Sequence, residues 1–265
     1  MSSNDSIAMF LPAHNEAENL PHVANAAIEY LESRECPYAL IIVDDGSNDD
    51  TTKVTASLAK RHCRLEVVRH DENQGYGAAL RSGFGAALET SYSWIAFCDA
   101  DRQFHPADVD HLIVAAEDAL ADGAIGFRFK RADGIHRRIM GRGWDHISQT
   151  ALGFKARDVD CGFKSFRRYV VARILPELVG SHATVSPELL ARLRRHQFHI
   201  VEVGVEHYPR GAGEQSGASL DVILRSFRTL YTVRKDLRRT TRDDLSGVVT
   251  GGAELGALQV TRPGS

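Results

Sequence analysis

Two aspartates one residue apart close an apolar run in FCDADRQFHP, residues 97–106, and a glutamine occupies the next alternate position. Carboxylates at i and i+2 of an extended segment point to opposite faces, but a strand-to-turn junction swings both onto one ion. Asp99, Asp101 and Gln103 offer few, hard oxygen ligands. Such a set suits Mg2+ or Mn2+ that completes its octahedron with water and a substrate phosphate. Capping of the helix opened by Pro106 accounts for one polar residue near His105, but not for two acids further upstream at the end of an apolar run. Polar chemistry sits after other apolar runs as well. His14, Asn15 and Glu16 come after IAMFLPA; Asp44, Asp45, Gly46 and Ser47 come after YALIIV; Arg128 closes AIGFRF.

Delivering these residues to one place requires strands that end together. IAMFLPA, YALIIVDDG, LEVVRH, WIAFCDA, AIGFRF and FHIVEVGVEHYPR read as strands, separated by helix-length amphipathic segments. One such helix runs through Leu20, Val23, Ala27, Tyr30 and Leu31; a second ends near Arg61; a third spans Gly77 to Glu89. Continuous rather than alternating hydrophobicity predicts strands covered on both faces, hence an α/β three-layer sandwich with a mostly parallel central sheet. In such sheets ligands bind at the carboxyl ends of the strands, where the polar residues above are found.

Composition narrows the classes. A net charge of -3 in 265 residues argues against nucleic acid as a partner. The signs are unevenly spread: residues 1–60 hold ten acids against three bases, residues 190–242 eleven bases against five acids. Cys36, Cys63, Cys98 and Cys161 are far apart with no metal-ligand spacing, which predicts reduced thiols in a cytoplasmic protein. No run approaches the ~20 apolar residues that span a bilayer, and no secretory leader is expected from MSSNDSIAMF. NQGYGAALRSGF has Gly75 and Gly77, but Leu80 stands where a dinucleotide fingerprint needs its third glycine, and the segment lies in the third βα unit. Its glycines fit close backbone approach and a helix N-terminus near phosphates instead.

FLPAHNEAENL, IIVDDGSNDDT, NQGYGAALRSGF, FCDADRQFHP, GFRF and DVDCGFKSF occur in that order over residues 7–166. Together they resemble a family 2 glycosyltransferase of the GT-A fold, most similar to its dolichyl/polyprenyl-phosphate mannose synthase branch. The resemblance continues more loosely to about residue 220. It implies a nucleotide-sugar donor, GDP- or UDP-linked, with Pro12, His14 and Glu16 lining base and ribose and Val43 and Asp45 contacting the base. Gly75 would lie against the nucleotide phosphates. Asp99, Asp101 and Gln103 would hold the divalent ion, Mg2+ or Mn2+, that bridges the donor diphosphate, with Asp99 also on the donor. Arg128, Arg142 and Arg210 match arginines that neutralise the phosphates. Asp160 in DVDCGF is the matched acceptor-side candidate for a catalytic base, with Asp158 as its alternative. The chain departs from the pattern at three points: His14 stands where tyrosine is frequent, Tyr76 where lysine is frequent, and Ser216 and Gly217 lie where a lysine often comes after Arg210.

The same resemblance implies in-line displacement with inversion. The processive QxxRW motif is absent, GRGW lacking the glutamine, so transfer of a single sugar is expected. Polyprenyl phosphate is the leading acceptor, a small-molecule hydroxyl the first alternative, and a non-catalytic nucleotide-sugar-binding protein a distant one. The expected organisation is a GT-A domain over 1–215, a basic amphipathic helix over 216–240 and a disordered tail over 241–265. Within the helix, Leu220, Ile223, Leu224, Phe227, Leu230, Tyr231 and Val233 form a stripe. Residues 219–239 are therefore read as a peripheral contact with a cytoplasmic membrane face, the alternative being that the stripe packs on the sheet or a second subunit.

Overall fold

The computed structural model describes residues 6–129, 135–212, 228–237 and 260–261. Its centre is a sheet with strand order β3-β2-β1-β4-β6-β5-β7-β8. The strands are β1 (Ile7–Ala13), β2 (Tyr38–Asp44), β3 (Leu65–Arg69), β4 (Trp94–Cys98), β5 (Gly123–Arg128), β6 (Phe163–Arg167), β7 (Ile200–Val205) and β8 (Val260–Thr261). All neighbouring pairs are parallel except those of β6, which runs antiparallel to β4 and β5.

The helices are α1 (Leu20–Ser33), α2 (Thr51–Arg61), α3 (Tyr76–Glu89), α4 (Val109–Asp118), α5 (Ile135–Leu152), α6 (Arg168–Ile174) and α7 (Val185–Arg195). They cover both faces, which is why the strands read as unbroken apolar runs. Along β1, Ile7, Met9 and Leu11 enter the core under α1 and α4, while Ala8 and Phe10 enter the core under α3, α6 and α7. The strand period of two thus feeds two separate cores. Phe10 anchors the second, its ring centroid 5.0 Å from Phe84 and 5.3 Å from Phe97. A Cβ on Gly83 would come within 2.3 Å of the Phe10 ring, so α3 sits this close to the sheet only because residue 83 is glycine.

Chain order places β2 and β3 on one side of β1 and β4 on the other. The crevice between the carboxyl ends of β1 and β4 is therefore a topological switch point, where open α/β sheets bind ligands. The basic segment around Arg142, whose charge density also suits a surface loop, is helical over Ile135–Leu152. Strand β6 carries the FKSF run between its antiparallel neighbours and separates β4 from β5. Of the C-terminal helix, residues 228–237 are helical: Leu230 and Val233 are buried and Leu237 packs on the second core, while Arg228, Tyr231, Arg234 and Lys235 are exposed. Asp236 pairs with the buried Arg192 of α7 at 2.8 Å. The remainder of 216–240 lies outside the described residues, as does the tail apart from Val260 and Thr261.

Candidate active site

Asp99 and Asp101 follow β4 into the crevice, Glu16 follows β1, and Arg210 reaches in from the segment after β7. Arg210 joins the three. Its Nη1 donates to Asp101 Oδ2 at 3.2 Å, its Nη2 to Glu16 Oε1, and its Nε to the Ala212 carbonyl at 2.8 Å. Asn19 braces the same corner from the start of α1, its Nδ2 donating to Glu16 Oε2 at 2.7 Å and to the Ala212 carbonyl at 3.0 Å. Burial raises the Glu16 carboxyl above its ordinary value against the pull of Asn19 and Arg210.

The two aspartates are held differently. Asp99 Oδ1 accepts from the Tyr76 hydroxyl at 2.8 Å. Asp101 Oδ1 accepts from the Gln103 amide at 3.1 Å, a local turn that folds Gln103 back beside the pair. Gln103 itself is tied to the incoming chain by the Tyr208 amide, which donates to its carbonyl at 3.0 Å. Burial, then the neighbouring Asp101 charge, pushes Asp99 up to about 7, and burial raises Asp101. Two acids that resist ionising side by side are relieved by a cation. Among the described residues no three His, Cys, Asp or Glu side chains gather around one point. Asp99 and Asp101 could supply two carboxylates, and Gln103 a neutral oxygen, to a divalent cation.

At the β2 end of the crevice the side chains are held by hydrogen bonds. Asp45, 3% exposed, receives the Gln74 amide on Oδ1 at 2.9 Å and the Gly75 amide on Oδ2 at 2.8 Å. Gly75 has φ +89°, and a Cβ there would lie 2.5 Å from the His182 ring, so only glycine opens α3 in this way. His14 is half-buried: its Nδ1 donates to the Asp45 carbonyl at 2.9 Å, and its Nε2 accepts from Asn73 Nδ2 at 2.9 Å. These bonds require the Nδ1–H tautomer. Pro12 and Val43 are buried in adjacent strands in register with one another. Val43 is 0% exposed and its side chain belongs to the core, so it supports the crevice floor from beneath.

On the far side of the Asp99–Asp101 pair, Arg128 grips Asp158 with two parallel bonds, Nε to Oδ2 at 2.6 Å and Nη2 to Oδ1 at 2.7 Å. Asp158 is thereby a structural partner of Arg128. Asp160, two residues on, has no hydrogen-bond partner among the described residues. Burial, then the Asp145 charge, lifts its carboxyl to about 7, against the opposing pull of Lys164. A carboxyl near 7 without fixed partners is suited to exchange protons at neutral pH. Arg142 stands exposed on α5, outside this group of contacts.

Tyr76 was noted from the sequence only as standing where lysine is frequent, and Lys164 and His70 were not singled out. Tyr76 bonds Asp99. Lys164, 0% exposed, donates to the Cys161 carbonyl and lies 5.6 Å from the Phe97 ring centroid; burial lowers its ammonium, and Asp99, Asp158 and Asp160 oppose that shift. A lysine between two phenylalanines of a buried strand demands a counter-charge, and that was the available signal. His70 at the end of β3 bonds Asp45. The rule that chemistry sits after strand ends applies to β3 as it does to β1, β2 and β4.

The sequence profile of Glycosyl transferase family 2 matches residues 9–175, more than half of the chain. Polyprenol monophosphomannose synthase of Mycolicibacterium smegmatis is 29% identical over 222 residues, covering 80% of this chain and 82% of its own length. Glycosyltransferase AglD of Haloferax volcanii is 26% identical over 211 residues, covering 77% of this chain, which spans 33% of that longer protein. Among solved structures, glucosyl-3-phosphoglycerate synthase from Mycobacterium tuberculosis with Mn2+, uridine-diphosphate-glucose and phosphoglyceric acid superposes with a TM-score of 0.62. It is 20% identical and covers 87% of this chain and 80% of that one, a likeness of fold.

Proposed function

The chain belongs to glycosyl transferase family 2, and from that premise we propose that it transfers one sugar from a nucleotide sugar, GDP-mannose or a UDP-hexose, to polyprenyl phosphate with inversion at the anomeric carbon. The observation that carries this reading is the buried Asp99–Asp101 pair at the switch-point crevice, each acid raised and Asp101 bridged by Arg210 to Glu16. The acceptor oxygen attacks C1 opposite the diphosphate, the C1–O bond breaks, and its electron pair leaves with the nucleoside diphosphate. Asp99, Asp101 and Gln103 would hold Mg2+ or Mn2+, which supplies Lewis-acid neutralisation of that leaving group. Arg210 would leave Asp101 and Glu16 for the donor phosphates, and Arg128 adds charge while paired with Asp158, whereas Arg142, exposed on α5, stands outside these contacts. Gly75, whose own amide is bound to Asp45, opens α3 so that its first turn would lie toward the phosphates, with His14 beside the base and ribose and the buried Asp45 holding the turn in place. Asp160 faces the acceptor, where it takes a proton from a hydroxyl but is not needed as a base for an acceptor phosphate that is already ionised.

Polyprenyl phosphate is favoured because the relative matched over most of its length is named for making a polyprenol monophosphomannose. No helix of the described residues is long and apolar enough to cross a membrane. Contact with a lipid surface would be electrostatic, through Arg228, Arg234 and Lys235 around the 70%-exposed Tyr231. Each base near an anionic surface is worth about 1 kcal/mol. A second reading, transfer to a small soluble acceptor, draws on the inward-facing Leu230 and Val233, which leave no apolar stripe on this part of the helix for a bilayer.

Incubation of the protein and Mn2+ with GDP-mannose or UDP-glucose, and with polyprenyl phosphate or a soluble acceptor, separates these readings. Butanol-extractable labelled product supports the first, and label confined to the aqueous phase in a new glycoside supports the second. No transfer and no donor hydrolysis with either donor would falsify both. Sedimentation with phosphatidylglycerol vesicles at low and high salt tests the surface contact, which is excluded if the protein stays in the supernatant at low salt.

A further inference from the structure

Behind the nucleotide side of the crevice three side chains form a line. His70 leaves the end of β3 only 9% exposed. Its Nδ1 lies 2.6 Å from Asp45 Oδ1, and its Nε2 lies 2.8 Å from Ser82 Oγ in the second turn of α3. Ser82 sits inside a helix rather than on an exposed turn, so its hydroxyl serves as an anchor and not as a nucleophile.

Asp45 has more to do than a single ligand contact. Its Oδ1 accepts from the Gln74 amide as well as from His70, and its Oδ2 accepts from Gly75. Those two amides set the turn through which Gly75, at φ +89°, opens α3. Tyr76 follows at once, and its hydroxyl holds Asp99 Oδ1 at 2.8 Å. Without the imidazole, the buried carboxylate loses the donor that fixes its plane and is free to rotate away from one amide or the other. Ser82 holds the ring from the other side, so β2, β3 and α3 meet at one imidazole.

We infer that His70 is a positioning residue for the donor nucleotide: through Asp45 it fixes the Gln74–Gly75 turn that presents the N-terminus of α3 to the donor phosphates. This rests on the reading of the crevice as a nucleotide-sugar site. The role is not a proton transfer, since His70 touches no reacting group. Its signature is affinity for the nucleotide, with turnover at saturating donor much less affected.

The test is calorimetric titration of GDP and UDP with Mn2+ into the wild type and the His70→Ala, His70→Asn and His70→Gln variants, paired with amide hydrogen exchange at Gln74 and Gly75. His70→Ala is expected to weaken nucleotide binding about tenfold, about 1.4 kcal/mol, and to speed exchange of those two amides while β1 and β4 keep their protection. His70→Asn, whose amide nitrogen takes the place of Nδ1, should recover to within about threefold of the wild type. His70→Gln, which reaches toward Ser82 instead, should recover less. If His70→Ala does not fold, the order of Asn over Gln decides the matter. Binding by His70→Ala within twofold of the wild type, unchanged exchange at Gln74 and Gly75, or His70→Gln binding as well as His70→Asn overturns the role. A wild type that binds neither nucleotide overturns the reading beneath it, and this role with it.

Discussion

The two ends of the crevice treat their carboxylates in opposite ways. At the β2 end, Asp44 accepts from the Ser47 amide at 3.0 Å and the Thr52 hydroxyl at 2.7 Å, and Asp45 accepts from His70, Gln74 and Gly75. At the β4–β6 end, Asp99 has one hydrogen-bond donor, Tyr76, Asp101 shares an arginine with Glu16, and Asp160 has no such partner among the described residues. Hydrogen-bond donors hold the first pair, with the Arg69 guanidinium 3.9 Å from Asp44, whereas in the second group burial outweighs the pull of Lys164, Arg128 and Arg210 and leaves the carboxyls raised. The first end is a frame whose hydrogen bonds are already made in the fold. The second holds electrostatic strain that a cation, a proton or a substrate cation–phosphate complex relieves.

The largest effect should come from removing a member of the strained group. Asp101→Ala is expected to abolish Mn2+-dependent nucleotide binding and lower turnover on the order of 10^3-fold. Calorimetry with and without Mn2+ measures the first, and donor consumption the second. Metal-dependent binding that survives the substitution would mean that the carboxylates do not form the cation site.

Asp160→Asn sharpens the contrast because its two consequences have opposite signs. With a hydroxyl acceptor, loss of the base should cost about 10^2–10^4-fold in turnover; with an acceptor phosphate, about tenfold or less. Stability should rise in the same variant. The folded-state value of about 7 lies above the ordinary 3.8, so the native state holds that proton more tightly than the unfolded chain. The resulting penalty is absent below about pH 4, grows between there and 7, and is complete above 7. Allowing for its partial exposure, the variant should be about 1–2 kcal/mol more stable at pH 8. Denaturant unfolding at pH 4 and pH 8 checks this, and an equal gain at both values would contradict the assigned strain.

A smaller effect is expected from Asp99. With its carboxyl near 7, protons compete with the cation. Nucleotide affinity in Mn2+ should therefore fall as pH drops below 7, by at most about tenfold per unit for one displaced proton. Titrations from pH 5.5 to 8 test it, and a flat profile would place the cation elsewhere.

Much of the frame was readable from the sequence, and less of the strained end. Strands covered on both faces announce themselves as unbroken apolar runs, and β1, β2 and β4 each hand their last residues to the crevice, so Glu16, Asp45 and Asp99 were found from position alone. Pairings that depend on strand order were not found. Arg128 and Asp158 are 30 residues apart and meet because β6 turns back antiparallel between β4 and β5. Lys164 enters its acidic surroundings by the same reversal. Val43, which the family resemblance sets against the base, has its side chain turned into the core by the strand period, a placement that the resemblance alone does not give.

The smallest effect belongs to the frame, and it separates the two ends most cleanly. Thr52→Val keeps the shape of the side chain and removes the hydroxyl from the fully buried Asp44. A hydrogen bond to a charged acceptor is worth about 1.5–3 kcal/mol, and because Asp44 keeps the Ser47 amide, a loss near the lower end is expected. In a protein of this size that is about 3–6 °C in Tm. Since the donor removed does not titrate, the loss should be the same from pH 5.5 to 8, and nucleotide affinity should stay within about threefold of the wild type. Thermal unfolding across that range, with titration of the nucleotide at its ends, gives both numbers. A loss that changes with pH, or a collapse of nucleotide binding, would show that Asp44 belongs with the strained carboxylates and that the division between the two ends is drawn in the wrong place.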